Sequence, residues 1–152
     1  MTTPTPLTPG WDDIALLCRT LAERLTPAGP YRGIVAVARG GMVPAGILAG
    51  LLGIKLIDTV CLTSYDSREQ HGLTILKPLS GATLPQPAED GEGWLAVDDL
   101  VDSGATARAV RAMLPKIHYA TLYAKPRGRA DVDTVAAETE QSRWVIFPWE
   151  TY

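Results

Sequence analysis

Cysteine is scarce in this chain. Cys18 and Cys61 are the only two among 152 residues, far apart and each set in apolar sequence. With no CxxC pair and no Cys/His cluster, a structural zinc site is excluded, and the two residues are expected to be buried free thiols of a reducing compartment. Neither common phosphate-binding fingerprint is present: there is no GxxxxGK[ST] and no GxGxxG. An excess of positive charge is also lacking. The formal net charge is −3, which argues against a general nucleic-acid binder. It leaves an anionic ligand open, because a few arginines and a metal ion can dominate one cleft. No apolar run is long enough to span a bilayer, the longest being Met42–Leu52 against a requirement of about 20 residues. The opening MTTPTPLTPG has neither a basic n-region nor an apolar h-region, so it does not read as a signal peptide, and a cytoplasmic protein is expected. Internal repeats and low-complexity tracts are absent.

What remains is the composition of an ordinary globular protein, 46% hydrophobic and 20% charged, of a length that predicts one domain over residues 1–152. Residues 1–10 read as a disordered or extended lead-in. Trp11–Leu25 places Ile14, Leu17, Leu21 and Leu25 on one helical face, with Asp12 and Asp13 in the favourable first turn and Pro27 and Gly29 as stops. GIVAVA (33–38) is a short buried strand, Met42–Leu52 a buried helix ended by Gly53, and IKLIDTVCLTSY (54–65) one or two strands. Residues 66–93 turn rich in Gly, Pro and charge, with only LTILKPL (73–79) resembling structure; so long a polar insertion predicts a functional lid or a disordered connection. WLAVDD is the next strand, Ser103–Leu114 a helix, and HYATLYAKP (118–126) a further strand. The tail from Arg127 shows no strong period. Strands alternating with helices predict right-handed parallel crossovers in an open α/β sheet, with any ligand outside the carboxyl ends of the strands.

Three such ends carry chemistry: Arg39-Gly40-Gly41, Asp98-Asp99 and Lys125. After Asp99 the chain runs LVDSGAT straight into a helix. Small residues let backbone N–H groups approach an anion, the helix start adds about half a positive charge and unpaired donors, and Ser103 and Thr106 add hydroxyls. That combination describes a pocket for a phosphate monoester. The two carboxylates would repel the phosphate, but they can accept hydrogen bonds from a sugar diol or hold hydrated magnesium. Phosphate loop beside sugar-binding acids reads as recognition of a ribose 5-phosphate. A plain alternative is that Asp98 and Asp99 only end a strand and cap a helix.

WLAVDDLVDSGAT resembles, in full and without a gap, the phosphoribosyl pyrophosphate (PRPP) signature of type I phosphoribosyltransferases. GIVAVARGGMVPAGILA, DTVCLTSYD, YAKPRGR and RWVIFPWE are similar, in order and at near-equal spacing, to the bacterial xanthine-guanine enzymes of that family. The resemblance implies an open, mostly parallel twisted sheet flanked by helices, with a core over about 30–125, a flexible catalytic loop over about 66–93 and a small C-terminal hood over about 126–152. It implies a purine-salvage reaction: 5-phosphoribosyl passes from PRPP to N9 of guanine, xanthine or hypoxanthine, with Mg2+ as cofactor. It also implies a homotetramer or dimer, no nucleic-acid partner, no transmembrane segment, and at most a loose association with the cytoplasmic face of the inner membrane.

Residue roles come by the same resemblance. Arg39 and Gly40 contact the pyrophosphate from a loop that relatives hold in a non-proline cis form; a plain strand-to-helix turn is the alternative. Asp98 and Asp99 face the ribose hydroxyls, with Asp99 nearest the metal, and Leu100 and Val101 complete the PRPP segment. Asp102, Ser103, Gly104, Ala105 and Thr106 wrap the 5-phosphate. Asp102 also sits by N7 of the base as partner or proton acceptor, a role compatible with an N-cap. Lys125 donates to O6 of the base, unless it is a surface lysine. Trp144 stacks on the base, unless it packs in the core, and the backbone of Val145 meets the 2-position. In two places the chain departs from the family. Where relatives place a loop arginine it has His71, with Arg68 three residues earlier, and it stops at Tyr152, where relatives run on. Two further readings stay open: a non-catalytic nucleotide sensor and a transferase for another base.

Overall fold

The computed structural model describes residues 2–67, 70–81 and 90–150, with the side chains of 64–72 outside it. It contains a six-stranded sheet in the order β3-β2-β1-β4-β5-β6. Here β1 is Gly33–Ala38, β2 Ile57–Ser67, β3 Gln70–Lys77, β4 Trp94–Val101, β5 His118–Ala124 and β6 Thr134–Glu138. All neighbours pair in parallel except β2 and β3, which form an antiparallel arm. The helices are α1 (Trp11–Leu25), α2 (Met42–Leu52) and α3 (Ala105–Met113). This is the open, mostly parallel sheet of a type I phosphoribosyltransferase fold.

Strand alternation divides the interior in two. Ile34 and Ala36 of β1, Leu95 and Val97 of β4, and Ala120 and Leu122 of β5 point to one face, where Ile14, Cys18, Leu21 and Leu25 of α1 and Ala45 and Leu48 of α2 cover them. Val35, Val37, Trp94, Ala96 and Tyr119 point to the other, beneath Ala107 and Val110 of α3. Both faces are buried, which is why β1 and β4 read as continuous apolar runs. From β1 the chain passes through α2 to β2 on one side, then returns across the sheet to β4 on the other. The carboxyl ends of β1 and β4 therefore diverge at a topological switch point, the crevice where open α/β sheets bind ligands.

Several expectations shift. Cys18 is buried, but Cys61 is only partly so. Residues 66–67 belong to β2 and 70–77 to β3, so the first half of the expected loop 66–93 is sheet; 68–69 and 82–89 lie outside the described residues. The buried carboxylate of Asp58 secures the base of this arm, accepting the N–H groups of Thr59 and Ser80 at 2.8 Å each, with Lys77 Nζ 3.5 Å away. The helix after β4 begins at Ala105 rather than Ser103. Thr134–Glu138, read as part of the hood, is a sixth strand paired with β5, and Arg24 of α1 donates to its Val135 and Ala136 carbonyls at 2.6 and 3.1 Å. The expected lead-in is also held: Leu7 bridges Val145, with Leu7 N–H on the Trp144 carbonyl at 2.8 Å and Ile146 N–H on the Leu7 carbonyl at 2.9 Å. Among the described residues no helix is long and apolar enough to cross a membrane.

His118 opens β5 with Nε2 2.7 Å from Thr134 Oγ1 and its ring edge-on to Tyr31. Burial holds its pKa below the usual 6.5, against the opposing pull of Asp133 and with a smaller push from Arg111. A base with a lowered folded pKa favours the native state fully above its unfolded pKa and loses that contribution as pH falls. Thermal melts should therefore fall more steeply below pH 6.5 in the wild type than in His118→Gln. Parallel curves would show that His118 does not couple folding to protons.

Candidate active site

Between β1 and α2 lies Arg39-Gly40-Gly41, entered through a cis peptide at Ala38–Arg39, as the resemblance implied. Gly41 N–H bonds the Val37 carbonyl at 2.8 Å, Met42 N–H the Arg39 carbonyl at 3.0 Å, and Ala45 N–H the Gly41 carbonyl at 2.9 Å, so the turn feeds directly into α2. The sequence reading gave these glycines the task of meeting a crowded anion. The structure supplies a nearer reason. A Cβ on Gly40 would collide with the Asp99 carboxylate, and one on Gly41 would collide with the carbonyls of Val97 and Val37. At Gly41 the loop is pressed against the backbone of β4, and only glycine fits.

Pleating aims the two acids at different cavities, yet their carboxyl groups stay within hydrogen-bond reach of each other. Asp98 follows Trp94 and Ala96 toward α3, where Tyr119 Oη donates to its Oδ2 at 3.4 Å and the Asp99 N–H donates to its Oδ1 at 2.8 Å. It lines a small cavity of about 110 Å³ with Tyr119 and residues 100–107. Asp99 turns the other way, into a cleft of about 660 Å³ shared with Arg39, Gly40, Trp149 and Glu150. Burial and the charge of Asp99 hold the Asp98 pKa well above the carboxylate range. Burial pushes Asp99 up to about 6, against a hydrogen bond shared with Asp98 and helped by the charge of Glu150. Tyr119 is raised well above its usual value by burial and then by Asp98. The pair is thus held where ionisation is costly, a common mark of a site awaiting a partner.

Beyond β4 the chain turns at Gly104 (φ 88°) into α3. The glycine is required twice over, for its left-handed φ and because a Cβ there would collide with Asp131. Arg108 Nη1 bonds Asp131 Oδ2 at 2.7 Å and the Ser103 carbonyl at 3.2 Å, closing the back of the turn. Ala105 N–H lies 3.3 Å from Ser103 Oγ. Residues 103–107, with the N–H groups of Thr106 and Ala107 lacking intrahelical acceptors, line the small cavity. Backbone donors at a helix start form an anion cradle.

Lys125 follows β5 and is 4% exposed, so it is no surface lysine. Its Nζ lies 3.3 Å from Asp102 Oδ2, joining two candidate residues from different strands. Trp144 is 68% exposed, which removes core packing as its role. Val145 is buried, and because Leu7 occupies the groups of Trp144 and Ile146 on one edge, the amide and carbonyl of Val145 face the opposite edge. His71 lies in β3 opposite Asp66; its side chain, like Arg68, lies outside the described residues. Three site residues carried no assigned role in the sequence reading. Tyr119 is detectable in principle, since a buried tyrosine needs a hydroxyl partner. Glu150 and Gln141, whose Nε2 lies 2.6 Å from Asp102 Oδ1, follow no local pattern.

The fold is an α/β protein with a switch-point cleft, an acid pair and a helix start whose amides could hold an anion. The sequence model of the phosphoribosyl transferase domain family matches residues 11–152, and the chain belongs to that family. Among solved structures it is similar to a purine phosphoribosyltransferase from Pyrococcus horikoshii Ot3, at 27% identity and a TM-score of 0.81, covering 97% of this chain and 95% of that one. It shares its fold with a Helicobacter pylori xanthine-guanine-hypoxanthine phosphoribosyltransferase (21%, TM-score 0.76, covering 97% and 95%). The same holds for a Neisseria gonorrhoeae protein with bound ppGpp (23%, TM-score 0.71, covering 97% and 92%).

Asp99→Asn removes a charge that the apo cleft accommodates poorly. It is expected to raise the melting temperature at pH 8 by about 2–4 °C for each kcal/mol of relieved repulsion. A variant that melts lower than the wild type would mean that the Asp99 carboxylate is favourably held without a ligand.

Proposed function

We propose that the chain transfers the 5-phosphoribosyl group of PRPP to N9 of a 6-oxopurine, guanine, xanthine or hypoxanthine, and releases pyrophosphate. The observation that carries this reading is the set of residues at one end of the sheet. An amide cradle at the start of α3 adjoins the Asp98–Asp99 pair, and the buried Lys125 ammonium stands beside Asp102 on the far side. The cradle would hold the 5-phosphate and Asp98 and Asp99 the ribose, while Arg39 and the amide of Gly40 would meet the pyrophosphate. In the reaction the C1′–O bond to pyrophosphate breaks, its electron pair leaving with the pyrophosphate, and C1′ bonds to N9. The proton displaced from the base ring passes to Asp102, on the N7 side.

Lys125 has three ammonium protons and gives one to Asp102, which leaves donors for O6 of the base. Adenine offers an amino donor there instead, so a buried donor would go unmet at a cost of about 1–3 kcal/mol. Trp144, exposed at the rim, would stack on the base, and the outward amide and carbonyl of Val145 would read the 2-position. Asp99 is a hard oxygen donor that suits magnesium. When bound, the ion would neutralise charge on the departing pyrophosphate. A homodimer or homotetramer accords with α2, apolar throughout, whose outward residues Met42, Gly46, Gly50 and Leu51 are exposed.

A second reading, a nucleotide-binding regulator without turnover, draws on the shared fold with the ppGpp-bound Neisseria gonorrhoeae protein. A PRPP-dependent assay with guanine, xanthine, hypoxanthine and adenine, with and without Mg2+, separates the two. Turnover of the oxopurines, with adenine about tenfold slower or worse, is expected, and nucleotide binding without turnover on any base would favour the regulator. Asp102→Asn should lower kcat by about 100-fold or more while leaving the KM for PRPP nearly unchanged. Full activity in that variant would remove Asp102 from the proton transfer.

A further inference from the structure

Asp102 is held by more than Lys125. Its other carboxylate oxygen, Oδ1, accepts the Nε2–H of Gln141 at 2.6 Å, and Gln141 Oε1 accepts the backbone N–H of Arg127 at 2.9 Å. The amide can lie only one way round, since its oxygen faces a backbone donor and its nitrogen a carboxylate. Each oxygen of Asp102 thus has one fixed donor: Lys125 on Oδ2, from the end of β5, and Gln141 on Oδ1, from the turn that precedes Trp144. Two donors on different oxygens set the plane of the carboxylate. Its remaining lone pairs stay free on the half of the side chain that is still open, Asp102 being 54% exposed. Lys125 alone, at 3.3 Å and on one oxygen, leaves the group free to rotate about its Cβ–Cγ bond.

We infer that Gln141 is a positioning residue: it orients the Asp102 carboxylate toward the purine and couples that orientation to the segment bearing Trp144 and Val145. The inference rests on the phosphoribosyl-transfer reading and deepens it. Gln141 touches no reacting atom; it acts through Asp102. The two hydrogen bonds of its amide also have separable jobs. The bond to Arg127 ties the 140–145 segment to the loop after β5, and the bond to Asp102 orients the carboxylate.

Gln141→Glu separates them. The variant keeps the size of the side chain and an oxygen acceptor for the Arg127 N–H, but it replaces the donor to Asp102 with a second carboxylate. Gln141 lies in a partly exposed turn, so the fold should survive and the melting temperature should stay close to that of the wild type. The readout is steady-state kinetics on the full chain with PRPP, Mg2+ and whichever purine the wild type turns over best. The kcat is expected to fall about 10–100-fold, the scale of losing one hydrogen bond to a charged group. The KM for PRPP should stay within about twofold, because the phosphate cradle is untouched. Gln141→His, which can still offer a ring N–H to Asp102, should recover part of the lost kcat over Glu. A kcat for Gln141→Glu within about twofold of wild type, or an equal loss in kcat/KM for PRPP explained wholly by KM, would overturn the inference and leave the transferase reading intact. Absence of turnover in the wild type with every purine would instead remove the transferase reading on which the inference stands.

Discussion

The structure turns on the close approach of two backbones, the glycine loop after β1 and the outer end of β4. Gly41 lies so near the Val97 and Val37 carbonyls that no side chain can intervene, and Gly40 packs against the Asp99 carboxylate. This contact closes the switch-point crevice on one side and brings the Arg39 loop against an acid that burial has already made hard to ionise. A protein chosen for stability alone would relieve that arrangement with a neutral residue or a paired cation. Among the described residues the cleft offers Asp99 only Arg39 as a positively charged neighbour and sets Glu150 beside it. The unfavourable charge is retained at the place where a polyphosphate and its counter-ion would be received. That is the usual form of a trade between stability and function.

The cradle and the carboxylates were legible in the sequence because their chemistry is local. A strand that ends on two acids, followed by Ser, Gly and Ala ahead of a helical period, specifies backbone donors and charge with no knowledge of distant partners. The strand order was half-legible: alternating strands and helices imply parallel crossovers, and the apolar runs of β1 and β4 imply burial on both faces. β6 was missed. TVAAE is short, with no alternation and no aromatic, and its strand character comes from pairing with β5 and from Arg24 on its carbonyls. Propensity was overridden by tertiary contact. The polar character of 66–72 concealed an antiparallel arm for a similar reason: Thr74–Lys77 are exposed, and an exposed edge strand needs no apolar period.

Residues that act across long sequence separations lie beyond local pattern. Asp102 and Gln141 are 39 positions apart, and nothing in EQSRW marks the glutamine as a partner of the carboxylate just past β4. Likewise the N-terminal segment, read as a disordered or extended lead-in, is a short rail beside Val145. Leu7 bridges Val145, Arg143 donates to the Thr5 carbonyl at 3.1 Å, and Trp11 meets Trp149, which stacks on Phe147 at 4.8 Å. Composition signalled an extended segment at residues 1–10; only the fold shows what it holds in place.

The two halves of the crevice solve opposite electrostatic problems. On the sugar side, Asp98, Asp99 and Glu150 concentrate negative charge, and burial makes that charge expensive, so the half is suited to a ligand that arrives with its own cation. On the base side, Asp102 is balanced by a buried ammonium at 3.3 Å and an oriented amide at 2.6 Å. This half is close to neutral and already organised, which suits a flat heterocycle recognised by hydrogen bonds. β4 runs between them, and its pleat sends Asp98 to one face and Asp99 to the other, while Asp102, just past its end, serves the base side. In the proposed reaction one strand end would reach three parts of a nucleotide, because alternation along β4 and the turn after it aim the carboxylates at different places. The spacing of acids in DDLVD is thus a geometric requirement of the fold as much as a chemical signature.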